Sequence, residues 1–505
     1  MMENMSRRGF VGTVGMMGAL GALGAGAASA LAGEAPKASG AEEFASSIEV
    51  YDRPGADKPW CGQGSADGNW TATPKEIAEL GGSTMPLDEL NRRRKMYVES
   101  FGDYTMEDGT VVPAVYNQMR ALIDTYGFGA GNVPIDSSFK NLVANVTEEQ
   151  AQAFLDMPWG QYFRPIDLYA KGGRTLEECR EVCEHFADLG LMRREPHGDG
   201  ICYNQAAWAE GISGYMMNDE TMGDLAYEWP VAGDGTMDEY ADAGTSYFHT
   251  LYCDSSLTST GEILAYDDIN ALIDSNSTFA LTPCSCRYSM LIAECQAKGK
   301  EWPSFADFAT GQLTEVALED GEGPRVETCV CMGDEAAFWI EQGIARPIDR
   351  EEARKVLRRS WEEGFVLECT REKTGEYVCS CRDGYCNIIG LWRAVGEARG
   401  TVLNSNNFDT TSDYRITADY DTCVRCGTCE QRCPLHAITM DGEHDDEAGY
   451  PQVADLCLNC GQCASVCPMS ARVLVPKDRG VIMPDNLVDG YNLVAAYRFE
   501  QGMVH

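Results

Sequence analysis

Eight cysteines near the C-terminus form the clearest chemical pattern in the sequence. They lie in two runs with the same spacing, C-x2-C-x2-C-x3-C-P, and the second run repeats the first 34 residues later. Three thiolates in one tight loop can bind three irons of a cubane cluster, so the fourth thiolate must come from elsewhere. The runs contain Cys423, Cys426, Cys429 and Cys433, and Cys457, Cys460, Cys463 and Cys467.

This spacing is typical of bacterial two-cluster ferredoxins, in which the fourth cysteine of each run binds the other cluster. It therefore predicts two [4Fe-4S] clusters and electron transfer between them. Zinc or disulfides are the alternative, which two matching runs that each end in proline disfavour. The predicted ligands are Cys423, Cys426, Cys429 and Cys467 for cluster 1, and Cys457, Cys460, Cys463 and Cys433 for cluster 2.

A second group of cysteines is less regular and contains three C-x-C pairs. Adjacent C-x-C thiols can bind one metal, and several such pairs together would form a further iron-sulfur cluster or a zinc site. Disulfide or redox-thiol chemistry is a third alternative, because an exported chain meets oxidants. The candidate ligands are Cys284, Cys286, Cys295, Cys329, Cys331, Cys379, Cys381 and Cys386.

Helix and turn signals precede and separate these cysteines. Thr147 begins one predicted helix, and the capping box that starts at Thr175 begins another. The segment from Leu191 to Tyr203 follows as a predicted hairpin. Helices before a small hairpin resemble a winged helix, whose role would be DNA binding or docking, and acidity favours docking. Further helices are predicted at 267–276, 334–343 and 349–364.

The sequence predicts an α+β multidomain protein. Mostly helical N-terminal and middle regions, with the winged-helix-like module, precede a two-cluster ferredoxin domain of βαββαβ type. The predicted segments are a signal peptide at 1–32, a linker and irregular region at 33–136, a winged-helix-like region at 137–255, a cysteine-rich C-x-C domain at 256–400, the ferredoxin domain at 415–476 and a tail at 477–505.

The N-terminus resembles a twin-arginine signal of the Tat pathway. Arg7 and Arg8 precede Phe10 and an apolar run, and small-residue cleavage sites end at Ala30 or Ala32. The signal predicts export of the folded protein to the periplasm or the outer face of the cytoplasmic membrane. An uncleaved membrane anchor is the alternative, since the apolar run could nearly span a bilayer.

Charge restricts the partners of this chain. Its 505 residues include 79 Asp and Glu against 40 Lys and Arg, a net charge of −39. This charge repels nucleic acid and anionic membrane surfaces and favours a redox partner with a basic docking face, which would be a membrane donor or a reductase or dehydrogenase subunit. An uncleaved signal or the partner itself would then associate the chain with the membrane. The motifs for covalent haem and for nucleotide phosphates are absent from the sequence, and no catalytic residues are predicted.

From about Ser137 to Val475 the sequence resembles a family of iron-sulfur proteins of anaerobic microbes. These proteins join a winged-helix-like region, a domain that starts with the motif APCxCR, and a C-terminal two-cluster ferredoxin. The matching segments are 281–287, 327–333, 344–348 and 378–381. The resemblance implies iron-sulfur binding and electron transfer, and it supplies no substrate.

Two hypotheses about function follow. The first is an exported electron-transfer protein or subunit that serves anaerobic respiration by passing single electrons to or from a redox partner. The alternative is an iron-sulfur reductase whose middle cysteine domain acts on a small molecule.

Overall fold

The structure is a computed structural model, and part of the chain is described. The described residues are 83–126, 134–197, 200–206, 248–284, 286–288, 326–373, 375–382, 412–454, 457–477, 482–484 and 486–502, with a few single residues between 291 and 311 and at 386 and 389. The predicted signal peptide lies outside the described residues.

Helices dominate the first part of the described chain. The elements are α1 (Leu87–Glu99), β1 (Tyr104–Thr105), β2 (Val111–Val112), α2 (Ala114–Asp124), α3 (Asp136–Asn145), α4 (Glu148–Asp156), α5 (Pro165–Tyr169) and α6 (Leu176–Asp188). They bury one shared core that includes Phe139, Phe154 and Phe186. The helix starts predicted at Thr147 and Thr175 are confirmed, because each threonine Oγ1 accepts a backbone N–H three residues on, at 3.2 Å.

The predicted hairpin follows α6. Strand β3 (Met192–His197) pairs antiparallel with β4 (Gly200–Gln205), and Met192 lies opposite Gln205. The assignment of these helices and this hairpin to the winged-helix fold stays a prediction.

A six-stranded antiparallel sheet forms the middle of the protein. The elements of this region are β5 (Phe248–Leu251), α7 (Ile269–Ser275), β6 (Phe279–Pro283), β7 (Glu327–Met332), α8 (Gly333–Glu341), β8 (Arg346–Ile348), α9 (Arg350–Glu362), β9 (Val366–Thr370) and β10 (Tyr377–Cys381). The strand order in the sheet is β5-β9-β10-β7-β6-β8. Helices α7 and α9 pack on one face of the sheet and α8 packs on the other.

Buried ion pairs join the hairpin to this sheet. Arg193 of β3 contacts Glu335 of α8 at 2.9 Å and also binds Glu376, which precedes β10. Arg194 binds Glu184 of α6 at 2.6 Å and Glu341 of α8. Both arginines are less than a tenth exposed. The basic side chains of the hairpin therefore serve contacts within the chain.

The C-terminal elements follow the predicted βαββαβ order. They are β11 (Tyr414–Ala418), α10 (Thr428–Arg432), β12 (Ile438–His444), β13 (Glu447–Val453), α11 (Gln462–Ser465) and β14 (Arg472–Pro476). Strand β11 pairs with β14, and β12 pairs with β13. The pairing of the first strand with the last brings the two cysteine runs side by side.

The βαββαβ unit is fixed to the sheet at the C-terminal end of α9. Helix carbonyls in the last turn lack intrahelical partners. Arg432 donates to the carbonyls of Trp361 and Glu362, both at 2.9 Å. Gln462, which is fully buried, donates to Trp361 O at 3.1 Å and to Phe365 O at 2.7 Å. Arg432 and Gln462 are sequence neighbours of Cys433 and Cys463, so this contact fixes the position of both cysteine runs.

The structure differs from the expected irregular region and tail at the two ends. Residues 33–136 include α1 and α2, and the tail contains α12 (Leu487–Gln501). Helix α12 packs against both of these helices. Its buried Arg498 donates to Asp124 O at 2.7 Å. The buried polar residues of helix α12 bond to residues several hundred positions away in the chain. Local sequence patterns do not reveal such long-range contacts.

Replacing Arg193 with methionine should lower the free energy of unfolding by about 3–5 kcal/mol, because two buried carboxylates lose their cation. Urea denaturation of anaerobically purified protein, followed by tryptophan fluorescence, measures this change. Arg92→Met is the control, since Arg92 pairs with Glu89 on the exposed surface of α1. Equal midpoints for Arg193→Met and the unmodified protein would contradict the prediction.

Candidate metal centres

The sequence repeat is also a repeat of backbone conformation. Three residues in each copy take positive φ angles between 51° and 78°. They are Arg425 and Asn459, Gly427 and Gly461, and His436 and Ser470, each pair 34 residues apart. Left-handed residues curl the chain tightly and turn successive N–H groups toward one centre, which suits an anionic group. The cost of this conformation at four non-glycine positions indicates that the loop shape serves the site.

Four cysteines line one small cavity in the C-terminal unit. They are Cys423, Cys426, Cys429 and Cys467. Cys467 comes from the second run, so the predicted crossing of the fourth cysteine appears in the geometry. Cys426 is exposed, and its contact with Thr428 Oγ1 at 3.2 Å lowers the pKa of this thiol. These cysteines are called the first thiol group.

The remaining four cysteines of the runs act on one another electrostatically. They are Cys433, Cys457, Cys460 and Cys463. Cys460 and Cys463 are buried, and burial raises the pKa of Cys463 to about 12. Backbone N–H groups donate to sulfur at Cys433, from Ala437 at 3.2 Å, and at Cys457, from Asn459 at 3.4 Å. These cysteines are called the second thiol group.

Arg472 lies between the two thiol groups. Its guanidinium interacts with Cys463 of the second group and Cys429 of the first. Arg472 is 3% exposed, its guanidinium contacts the Cys429 sulfur, and among the described residues no carboxylate or carbonyl oxygen accepts from it. A buried cation needs nearby negative charge, which a thiolate-ligated iron-sulfur cluster carries. The residues present therefore fit an anionic cluster on either side of Arg472.

Six of the eight middle-domain candidates form a closed ring of thiol contacts. The thiol of each interacts with the thiols of two others and shifts their pKa values, which gives a cycle. In order around the cycle they are Cys284, Cys286, Cys386, Cys381, Cys379 and Cys329. This set is called the six-thiol ring. The contacts from Cys286 and Cys329 lower the pKa of Cys284 and raise those of its two partners.

Strand register explains how distant cysteines meet in the ring. Strands β7 and β10 are antiparallel, with Val330 opposite Val378. One residue further along this pairing, Cys379 lies opposite Cys329 on the neighbouring strand. Side chains two residues apart on one strand point to the same face of the sheet. Cys381 therefore extends the same row. Cys284 directly follows the end of β6, whose Thr282 pairs with Cys329.

The ring closes without the other two candidates. Cys331 lies two residues along β7 from Cys329 and packs beneath α8 with Phe338 and Trp339. Cys295 is buried. Among the described residues no cysteine forms a disulfide.

Sequence reasoning did not identify the cations at these sites. Arg287 follows the first C-x-C pair and is 2% exposed. It donates to Ser380 O at 2.5 Å, and its guanidinium lies 4.6 Å from the centre of the Phe365 ring. Arg472 occupies the position that Ile438 holds in the first copy of the repeat. This break in the repeat was the available signal for Arg472.

Comparisons with known proteins agree with the C-terminal site. The family of 4Fe-4S dicluster domains matches residues 422–471. The chain therefore contains an iron-sulfur ferredoxin domain at its C-terminus, which supports a role in electron transfer. Neither the curated proteins nor the solved structures contain a match to this chain. Within the described ranges, no helix has the length and apolar character needed to cross a membrane.

We expect Cys433→Ala to remove the same EPR signal as Cys460→Ala, and Cys467→Ala the same signal as Cys426→Ala. The reason is that each fourth cysteine lies with three thiols of the other run. Each change should lower iron by about four atoms per chain. EPR of the dithionite-reduced protein and iron analysis test this. Cys179→Ala, in the core of α6, should leave both signals intact, and loss of the Cys426 signal in Cys433→Ala would contradict the crossing.

Arg472→Gln should lower the reduction potentials of both clusters, because reduction adds negative charge beside this cation. A shift of about 60 mV is expected, since ~1.4 kcal/mol corresponds to 59 mV for one electron. Potentiometric titration monitored by EPR gives both values. The matched control is Arg415→Gln, an exposed arginine on β11. Unchanged potentials in Arg472→Gln would show that the arginine does not act on the clusters.

Proposed function

We propose that this chain is an exported electron-transfer protein that passes single electrons through two [4Fe-4S] clusters in anaerobic respiration. The observation that carries the proposal is the sorting of eight cysteines into two groups of four, with one cysteine exchanged between the runs. The first thiol group would hold cluster 1 and the second would hold cluster 2. A bound [4Fe-4S] cluster supplies one-electron chemistry.

The two thiol groups differ in their access to solvent. Cys426 is exposed, and next to the first group the apolar side chains of Val424 and Met469 are 56% and 44% exposed. Cys460 of the second group is 9% exposed. Electron transfer between proteins needs close approach, so the first group is the point of exchange with a partner.

Exposed carboxylates surround this point of exchange. The turn between β12 and β13 borders the Cys423–Cys426 loop, because Arg425 binds Glu447 at 2.8 Å and donates to Ala448 O at 3.2 Å. The exposed acids of this segment are Asp419, Asp421, Asp441, Glu443, Asp445, Asp446 and Glu447. Such a surface favours a partner with a basic docking face, which associates quickly and weakly.

Export of a folded protein is compatible with the proposed clusters. Iron-sulfur clusters are assembled in the reducing cytoplasm, and a chain threaded unfolded through a membrane would lose them. The Tat pathway carries folded proteins, so the twin-arginine motif at Arg7 and Arg8 supports export after the clusters are bound. The periplasm or the outer face of the cytoplasmic membrane is the proposed location.

Neutralising the acidic turn should slow electron transfer to a basic acceptor. Asp445→Asn with Asp446→Asn keeps residues that tolerate the positive φ angles of this turn. We expect the reduction of cytochrome c, a basic probe, to slow about three- to tenfold at low ionic strength. Stopped-flow absorbance on the dithionite-reduced protein, freed of dithionite, measures the rate.

The control for this experiment removes the same charge elsewhere. Glu181→Gln with Asp188→Asn changes two exposed acids of α6, and it should leave the rate nearly unchanged. The effect of the turn variant should vanish at high salt, because screening removes steering. A wild-type protein that fails to reduce cytochrome c, or does so independently of ionic strength, would overturn the proposed docking.

A further inference from the structure

The six-thiol ring lies directly against the second thiol group. Cys381 and Cys386 of the ring share one hydrophobic cluster with Cys460, and Cys379 and Cys433 pack at its edge. The apolar side chains that fill this cluster are Val366, Ile389, Leu435, Ala437 and Leu458. Ring thiols and cluster 2 ligands are therefore neighbours in one water-poor core.

We propose that the six-thiol ring holds a third iron-sulfur cluster, which exchanges electrons with cluster 2 across this shared core. The inference rests on the proposed function, since cluster 2 must itself be a redox centre. The proposal adds a third redox centre and places the three centres in an order. The first thiol group is the exposed end, the second is the middle, and the ring is the internal end.

The arrangement of the six thiols favours a cluster over a single zinc ion. In a tetrahedral zinc site each ligand neighbours the other three. Here each thiol interacts with two neighbours, so the six thiols form a loop and not a compact set of four mutual neighbours. Thiolates are the ligands of iron-sulfur clusters, whose several irons take ligands that are more widely spaced than those of one zinc ion.

The surroundings of the ring suit a buried anion. The backbone N–H of Arg287 donates to Cys284, and the guanidinium of Arg287 attracts the Cys284 sulfur. The hydroxyl of Tyr377 donates to Cys329, and the N–H of Ile389 donates to Cys386 Sγ at 3.5 Å. Hydrogen bonds to sulfur are a standard means by which proteins stabilise clusters and set their potentials.

A protein bridge also connects the ring with the second thiol group. Gln462, next to Cys463, donates to the carbonyl of Phe365, and the ring of Phe365 stacks on Arg287. Arg287 follows Cys286 in the chain. Thr250 of β5 adds a contact to Leu458 O at 3.4 Å. These contacts hold the two sets of sulfur ligands at a fixed separation.

The number of electrons that one chain can donate makes the proposal measurable. Each one-electron oxidation of a centre is balanced by reduction of one ferric cytochrome c to the ferrous form, and no proton or bond change is required. The fully reduced full-length chain should therefore reduce about three equivalents of cytochrome c, with about 12 irons per chain. Removing three ring ligands should lower these values to about two equivalents and about 8 irons.

The test compares a triple variant, Cys329→Ala with Cys379→Ala and Cys381→Ala, with Cys369→Ala in anaerobically purified full-length protein. Cys369 is a buried cysteine of β9 that packs in the core beneath α9, outside the ring. The triple ring variant leaves three ring thiols, fewer than the four ligands of a [4Fe-4S] cluster, so it should lose four irons and one EPR signal, while Cys369→Ala should lose neither. Retention of the two signals removed by Cys426→Ala and Cys460→Ala shows that a ring variant has folded.

Metal analysis of the unmodified protein tests the proposal independently of any variant. About 8 irons per chain would overturn it, whether the ring then contains zinc or three disulfides. Thiol titration under denaturing conditions and zinc analysis distinguish those two outcomes. Failure of the proposed function is seen separately, as an absence of cytochrome c reduction in a protein that contains 12 irons.

Discussion

Negative charge on buried sulfur ligands is the constraint on which the cysteine-rich half of the structure depends. An isolated anion in a protein interior is costly, so it must meet cations and hydrogen-bond donors. Arg472 between the two thiol groups and Arg287 beside the ring supply the cations. Left-handed turns supply N–H groups at the runs. Packing of the two domains against each other serves the same need, because these cations and N–H groups interact more strongly with sulfur where water is excluded.

The contact at the C-terminal end of α9 joins the six-stranded sheet domain to the βαββαβ unit. The last carbonyls of that helix need donors, and they find them in Arg432 and Gln462 of the cysteine runs. In the second thiol group Cys460 and Cys463 are buried, while Cys426 of the first thiol group is exposed. The two thiol groups of this domain therefore differ in their access to solvent, which is the asymmetry used in the proposed function.

The features that could be predicted from the sequence are those that depend on residues close together in the chain. Capping threonines, the hairpin, and the βαββαβ order depend on residues close in the chain, and they were predicted. The crossing of Cys433 and Cys467 was predicted from the arrangement known in two-cluster ferredoxins, and Cys467 does line a cavity with three cysteines of the first run. The membership of the six-thiol ring depends on the register of β7 against β10, which the C-x-C spacing does not contain. Helix α12 was missed because its buried polar residues find partners only after folding.

The buried charges explain how the chain can be strongly acidic without an excess of negative charge in its interior. Among the described residues nine arginines and nine carboxylates are buried, so the formal charges of the interior cancel. The net charge of −39 therefore belongs to the exposed and undescribed remainder of the chain. Iron-sulfur clusters would add negative charge to the interior, where Arg472 and Arg287 already lie. The basic docking partner that we propose would meet the acidic surface without any cost to the interior, because the two sets of charges are separated by the fold.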